Sequence, residues 1–247
     1  MKYAIISDIH GNIIALKEAM RLIEEENVEK IICLGDIVGI GTRSDECVKY
    51  LLNYKDKLIA VRGNHEDRFL FGIPEYIHDG KHKMEADDIA QEHWIHDRIS
   101  KESREFLEKL PPEIETEIEE IKFVITHYPL KENMEYQTFR FFPVKEELRE
   151  LFGKYDDSRV YLFGHTHERR IRETRDGIFY INPGTLGTAF HRDYGTFGIL
   201  SIHEDKKIEY KEIAFKYDLD AVINDFYELK PPRGDHMLDQ FFGVKWL

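Results

Sequence analysis

An α/β fold is predicted by three features of the sequence: strand and helix patterns alternate through the first 65 residues, a helical stretch follows, and short strands return from Ile121. Lys2 to Ser7 is an Ile-rich run, Asp8 to Asn12 a polar turn, and Ile13, Leu16, Ala19, Met20 and Ile23 have helical spacing. Lys30 to Leu34 predicts a second strand, Ser44 to Asn53 a second helix and Leu58 to Val61 a third strand. Such alternation implies parallel strands joined by right-handed crossovers. Between 68 and about 112 the alternation is lost. Helical pattern occupies Ala86 to Ile99 and Ser103 to Leu110 until Pro111-Pro112 stops it, so this stretch is expected to be a helical insertion. Further strands are predicted at Ile121 to Thr126, Val160 to Phe163, Ile171 to Glu173, Phe179 to Asn182, Gly198 to Ile202 and Ile208 to Ile213, with a helix near Val144 to Leu151. Their close spacing predicts antiparallel pairing in the second half. The acidic run Glu113 to Glu120 reads as a solvated turn and strand edge, and residues 230–247, with Pro231-Pro232 and Phe241-Phe242, as a docked tail. Residues 1–247 are expected to form one domain.

The 247 residues are 42% hydrophobic, enough to bury one large core. Against 35 basic side chains stand 48 acidic ones, a net charge of -13 that disfavours nonspecific attraction to nucleic acid or anionic membranes. No apolar run approaches the roughly 18 residues of a membrane span, and the N-terminal apolar stretch meets Asp8 too early for a signal peptide. A cytoplasmic protein with no membrane partner and no stable nucleic acid binding is expected. The cysteines, Cys33 and Cys47, lack Cys-x-x-Cys spacing, so neither a disulfide framework nor a thiolate zinc cage is encoded.

Chemistry collects where predicted strands end: Asp8-x-His10, Gly35-Asp36, Gly63-Asn64-His65-Glu66, His127 and Gly164-His165-Thr166-His167. In an open α/β sheet the C-terminal ends of the strands line a common crevice, so these sets are expected to meet. Residues i and i+2 of an extended chain point the same way, which would let Asp8 with His10, and His165 with His167, each present two ligands to one place. Hard oxygens mixed with imidazoles, and no thiolate, suit Mn, Fe, Zn or Co in a hydrolytic site. Asp8, His10, Asp36, Asn64, His127, His165 and His167 are more candidates than one ion uses with a water to spare. A carboxylate bridging two ions roughly 3.5 to 4 Å apart would resolve the surplus, as in two-metal phosphoryl transfer.

In this order, the five blocks resemble the calcineurin-like metallophosphoesterase superfamily, from Lys2 to about Asn182. The resemblance implies two packed mixed β-sheets flanked by helices. It also implies that Asp8, His10, Asp36 and His167 hold one metal while Asp36, Asn64, His127 and His165 hold the other. His65 matches the histidine that protonates the leaving oxygen or stabilises the transition state. Asp8-Ile9-His10-Gly11-Asn12, Gly35 to Gly41 and Asn182-Pro183-Gly184-Thr185-Leu186-Gly187 are similar to bacterial and archaeal phosphodiesterase-like members and relatives of diadenosine tetraphosphatases. The implied activity is hydrolysis of phosphate esters or phosphoanhydrides of small molecules, extending to nucleotides and dinucleoside polyphosphates, with two divalent or mixed-valence transition metal ions.

One departure bears on substrate. Ser/Thr protein phosphatases of this superfamily follow Gly-Asp with Asp-Arg-Gly, supplying an Asp partner for the histidine and a phosphate-binding Arg, whereas here the stretch is Gly39-Ile40-Gly41. A phosphate-binding Arg must then come from elsewhere, with Arg62, Arg68 and Arg192 as candidates. The insertion, anchored beside Asn64 and His127, is expected to act as a lid that selects small substrates. His78, His82, His93, His96, His203 and His236 have no partner pattern, and Trp94, Ile95, Phe139, Phe141 and Phe142 read as insertion core. Two other classes were weighed against the enzyme: a metal-binding scaffold, disfavoured because every ligand position and His65 are filled, and a nuclease, disfavoured by the acidic charge and the lack of a DNA-capping domain.

Overall fold

In the computed structural model the described residues are 1–76, 83–155, 157–189 and 193–244. β1 (Lys2–Ile6) leads through a polar loop to α1 (Ile13–Glu25), whose first turn is capped by Asn12, its side-chain oxygen accepting the Ala15 N–H at 3.0 Å. β2 (Lys30–Cys33), α2 (Ser44–Leu52) and β3 (Leu58–Ala60) complete the alternation, and β1, β2 and β3 pair in parallel. Three helices follow, α3 (Asn64–Phe71), α4 (Ala86–His96) and α5 (Lys101–Leu107).

The acidic run is the strand edge and turn expected of it. β4 (Glu113–Ile118) is a full edge strand against β5 (Ile121–Thr126), and the hairpin turns on Glu119 and Glu120, both at positive φ (50° and 60°), as a tight turn matched to strand twist requires. After α6 (Lys145–Leu151) come β6 (Val160–Leu162), β7 (Arg169–Glu173), β8 (Phe179–Pro183), β9 (Tyr194–Ile202) and β10 (Ile208–Lys216). β9 begins four residues before the predicted Gly198, because the register with β10 runs from Tyr194 to Ile202 without a break. The chain ends in α7 (Leu219–Leu229) and α8 (Gly234–Phe242), so the expected tail is a helix that buries Met237, Leu238 and Phe242.

The strands form two five-stranded mixed sheets, β10-β9-β1-β2-β3 and β4-β5-β6-β8-β7. Antiparallel pairing, expected throughout the second half, is confined to β4–β5, β7–β8 and the β9 ladders. β5, β6 and β8 are parallel. The reason is positional: β7 hairpins out to the edge, and β8 then returns beside β6 in its direction.

Alternation along each strand builds three cores. Tyr3 and Ile5 of β1, Phe123 and Ile125 of β5, Leu162 of β6 and Leu200 of β9 pack between the sheets. Ala4 and Ile6, with Leu16, Met20 and Ile23 of α1, face the opposite way under the first helical layer. Val124, Tyr161 and Tyr180 pack with Leu148 and Leu151 of α6 on the outer face of the second sheet. Each central strand is buried on both faces, which explains its continuous apolar run.

Asp45 of α2 fastens the inserted helices to this frame. Its Oδ1 accepts from Ser100 N (2.9 Å), Ser100 Oγ (2.7 Å) and Ser103 Oγ (2.5 Å) at the start of α5. Burial opposes its charge, but the Ser103 hydroxyl, Lys49 and the Ser100 donors outweigh it and take the carboxyl down to about 2. Asp45→Ala is expected to cost about 1–3 kcal/mol of stability at neutral pH, the range for stranding buried donors. Because the folded-state value lies below the unfolded one near 3.9, that contribution is complete above pH ~4 and fades as pH falls toward 2. Urea unfolding of wild type and variant at pH 7 and near pH 3 should show the difference shrinking.

Candidate metal centre

The candidate residues sit just past the C-terminal ends of the parallel strands of both sheets: Asp8 after β1, Asp36 after β2, Asn64 after β3, His127 after β5 and His165 after β6. The backbone there is not extended. Asp8, His10, Asp36, His165 and His167 all have positive φ, between 50° and 67°. Such conformations cost roughly 1–3 kcal/mol each and persist only where surrounding bonds enforce them. The enforcing bonds run between neighbouring loops: Asp8 N donates to Gly35 O (3.1 Å), His10 N to Asp36 O (2.9 Å), Gly11 N to Ile37 O (3.0 Å) and His165 N to Asp8 Oδ2 (3.1 Å). The block from Asn182 to Thr188 closes the frame. Leu186 N reaches Ser7 O (2.9 Å), Thr185 Oγ1 reaches Asp8 O (2.8 Å), and Asn182 Nδ2 reaches Gly164 O (2.8 Å).

These loops bring the sequence candidates together in an order that simple alternation does not give. Asp8, His10 and His167 form one group able to hold a metal ion, and Asp36, His127 and His165 another. A third, His10 with Asp36 and His65, spans the two. Asp8 and His10 share a group while His165 and His167 stand in separate ones; all four residues are at positive φ, so the i, i+2 rule for extended chain governs neither pair. Asn64 joins the second group, its Oδ1 lying 3.1 Å from His127 Nε2.

Tautomers and burial show that the groups suit a cation. His127 Nδ1 must carry its proton, since it faces the Leu34 carbonyl at 2.8 Å. Its Nε2 is therefore turned toward Asn64 Oδ1, Asp36 Oδ2 (3.3 Å) and His165 Nδ1 (3.1 Å). Likewise His167 Nδ1 faces the Thr188 carbonyl (3.2 Å), and its Nε2 meets His10 Nε2 (3.0 Å) and Asp8 Oδ1 (3.3 Å). Imidazole nitrogens and carboxylate oxygens converging in a buried site make a donor set that a cation would satisfy. Asp8 Oδ1 is buried with no hydrogen-bond partner. Burial opposes both carboxylates, yet His167 and His10 hold Asp8 well below its usual value, and His127 and His65 do the same for Asp36. Burial pulls His10 down to about 4, whereas His127, though equally buried, is carried up to about 10 by Asp36. The oxygen and imidazole donors fit transition metals of the hydrolytic kind.

Two carboxylates that sequence reasoning left without a role prove to organise the site. Glu66, wholly buried, accepts from Asp36 N (2.8 Å), Ile37 N (2.8 Å), Val38 N (3.0 Å) and Gly63 N (2.6 Å). Gly63 is required by closeness alone, since a Cβ there would lie 2.2 Å from Asp36 Oδ1. Glu92, from α4, lies 3.4 Å from His65 Nδ1 and 2.6 Å from Arg68 Nη1. Glu66 was visible in its block beside His65; nothing local marks Glu92 among the acidic residues of α4.

A cavity of about 540 Å³ opens above these groups. Arg68, Met84, Gln91, Glu92 and Ile95 of the inserted stretch line one side, and Arg233, His236, Met237 and Phe241 of the C-terminal segment another. Phe139 and Phe141, expected in the insertion core, line the cavity instead, Phe139 packing edge-on to the His165 ring at 5.0 Å. Phe142 is exposed, and Trp94 stacks under Arg98 at 3.9 Å. Of the arginine candidates, Arg68 lines the cavity, Arg62 is tied to Asp67 (2.6 Å) and Arg192 lies outside the described residues, as do His78 and His82. His96, which had no partner pattern, lies 3.5 Å from Glu92. Among the described residues no helix is long and apolar enough to cross a membrane.

Comparison with known proteins agrees with this geometry. The family profile described as the calcineurin-like phosphoesterase superfamily domain matches residues 1–205. A phosphodiesterase of Methanocaldococcus jannaschii is 30% identical over 216 residues, covering 87% of this chain and 100% of its own. An uncharacterized protein of the same organism is 30% identical over 234 residues, covering 87% and 88%. In three dimensions a hypothetical protein of Pyrococcus horikoshii superposes with a TM-score of 0.80 over 99% of both chains at 19% identity, a likeness of fold. With a family match over most of its length and the metal-binding geometry in place, the chain belongs to the calcineurin-like phosphoesterase superfamily.

Proposed function

We propose that this protein hydrolyses phosphate esters or phosphoanhydrides of small molecules, nucleotides among them, using two transition metal ions. The observation that carries the reading is the meeting of two ligand groups around Asp36. On this reading Asp8, His10, Asp36 and His167 would hold one ion and Asp36, Asn64, His127 and His165 the other, with Asp36 shared. When bound, the ions, drawn from Mn, Fe, Zn and Co, supply Lewis acidity to the phosphoryl oxygens and a water nucleophile at neutral pH. The chain's own residues do the rest. Asp36 sets the separation of the two ligand groups, its backbone pinned by Glu66. As the bond from water oxygen to phosphorus forms and the bond to the leaving oxygen breaks, the water gives up a proton to solvent and His65 gives one to the leaving oxygen, to be restored from solvent afterwards. The relative named a phosphodiesterase supports ester chemistry, and the bounded cavity, walled by the insertion and α8 within one domain of residues 1–247, supports small substrates.

Asp36→Asn is expected to weaken both sites together, whereas His167→Ala should chiefly weaken one. Elemental analysis of metal-saturated wild type should return two ions per chain. One ion, or an Asp36→Asn protein that retains both at unchanged affinity, would overturn the bridging role.

His65→Ala should keep both ions while kcat on an ester with a poor leaving group falls about 100-fold or more, within the range of general acid catalysis. A nitrophenyl ester should lose less, because nitrophenolate departs without help. Equal losses on both esters would reassign His65 to positioning, and loss of an ion would make it a ligand. The same assay, run over monoesters, diesters and dinucleoside polyphosphates with each metal added back, tests the substrate class.

A further inference from the structure

We propose that Glu92, carried on the inserted helix α4, is a positioning residue that fixes the orientation and tautomer of His65; this rests on His65 being the proton donor. The His65 ring is confined on three sides. His10 packs edge-on against it, with centroids 5.0 Å apart and planes at 84°. Gly39 lies under the ring, where a Cβ would come within 2.3 Å of Nδ1, and its φ of +96° also favours glycine. On the third side stands Glu92, with Oε1 at 3.4 Å from Nδ1. His65 Nδ1 is buried with no hydrogen bond of its own, so this carboxylate is the acceptor it faces.

The carboxylate is itself held rigid. Glu92 is 5% exposed, Arg68 Nη1 donates to the same Oε1 at 2.6 Å, and His96 Nε2 lies 3.5 Å from Oε2. An imidazole flipped by 180° would turn a carbon toward Glu92, and a deprotonated Nδ1 would set a lone pair against a carboxylate. Both are disfavoured where water cannot screen them. An Nδ1–H therefore points at Glu92, and the second proton of the ring, on Nε2, is the one that would pass to a leaving oxygen in the cavity that His65, Arg68 and Glu92 together line. A lost or misplaced Glu92 would leave His65 present but free to adopt the unproductive orientation, an effect expected to fall on turnover rather than on substrate binding.

A double-mutant cycle tests this in the metal-loaded full-length protein, with a phosphodiester that has a poor leaving group as substrate. Glu92→Ala and the isosteric Glu92→Gln are each made in wild type and in His65→Ala, and metal content and Tm are recorded for all. In wild type, either change should lower kcat about 10- to 100-fold, as loss of an orienting carboxylate does elsewhere, with KM moving less than about threefold and both ions retained. In His65→Ala the same changes should lower kcat less than about twofold further, because nothing remains to be positioned. Equal losses in the two backgrounds, or a wild-type kcat in Glu92→Gln, would overturn the assignment. Should Glu92→Ala unfold through its stranded Arg68, Glu92→Gln decides alone. If His65→Ala itself keeps full kcat, the proton-donor reading fails first and Glu92 loses its role with it, an outcome distinct from an additive cycle.

Discussion

Four backbone N–H groups converge on the carboxylate of Glu66, and the geometry of the crevice depends on that convergence. Glu66 belongs to the first turn of α3, while three of its donors lie in the loop after β2, some thirty residues earlier. It therefore registers two loops against each other, and with them Asp36 on one side and Asn64 with His65 on the other. His65 N closes the ring by donating to Asp36 Oδ1 at 2.9 Å. A buried carboxylate is costly unless each lone pair is used. Here four donors satisfy it, and what the arrangement secures is relative position.

That position is needed because the site concentrates unfavourable features. Five of its side chains stand on left-handed backbone, and two buried carboxylates face imidazole nitrogens at 3.3 Å. Neither feature would survive on a loose loop. Bonds between the loops after β1, β2 and β6, together with the Asn182 to Thr188 block, make the left-handed turns the state in which every backbone donor named above is satisfied. Electrostatic strain of this kind is relieved by a cation, so the same features that are awkward for the bare chain suit it to metal binding.

Around this floor the walls come from unrelated parts of the chain: α4 from the insertion, Phe139 and Phe141 from the loop after β5, and α8 from the C-terminus. Arg233, which lines the cavity, is ion-paired to Asp88, and its N–H meets Gln91 Oε1 at 3.2 Å, so the C-terminal helix and the insertion brace each other. Asp45 holds the other end of the insertion to α2. Braced through α4 by Arg233 and through α5 by Asp45, the insertion presents Glu92 to His65.

The sequence by itself determined what is local or follows from strand direction. Alternating apolar runs specify β1 to β3 and their parallel pairing, and a ligand set at a strand's C-terminal end is bound for a shared crevice because parallel strands all end on one side. That is why Asp8, His10, Asp36, Asn64, His127, His165 and His167 are legible in the sequence as a group. Tertiary structure decided the backbone that carries them. The resemblance implies that His165 and His167 serve different ions, but inter-loop hydrogen bonds hold these loops at positive φ, a conformation that the side chains themselves disfavour and no pattern announces. Tertiary structure also decided that β5, β6 and β8 run parallel, since β7 leaves for the edge, and that Glu92, one acid among several on α4, faces His65. Helical periodicity shows which face of α4 is buried; which residue it meets there depends on two chain segments docking at long range, and that is a property of the packed molecule.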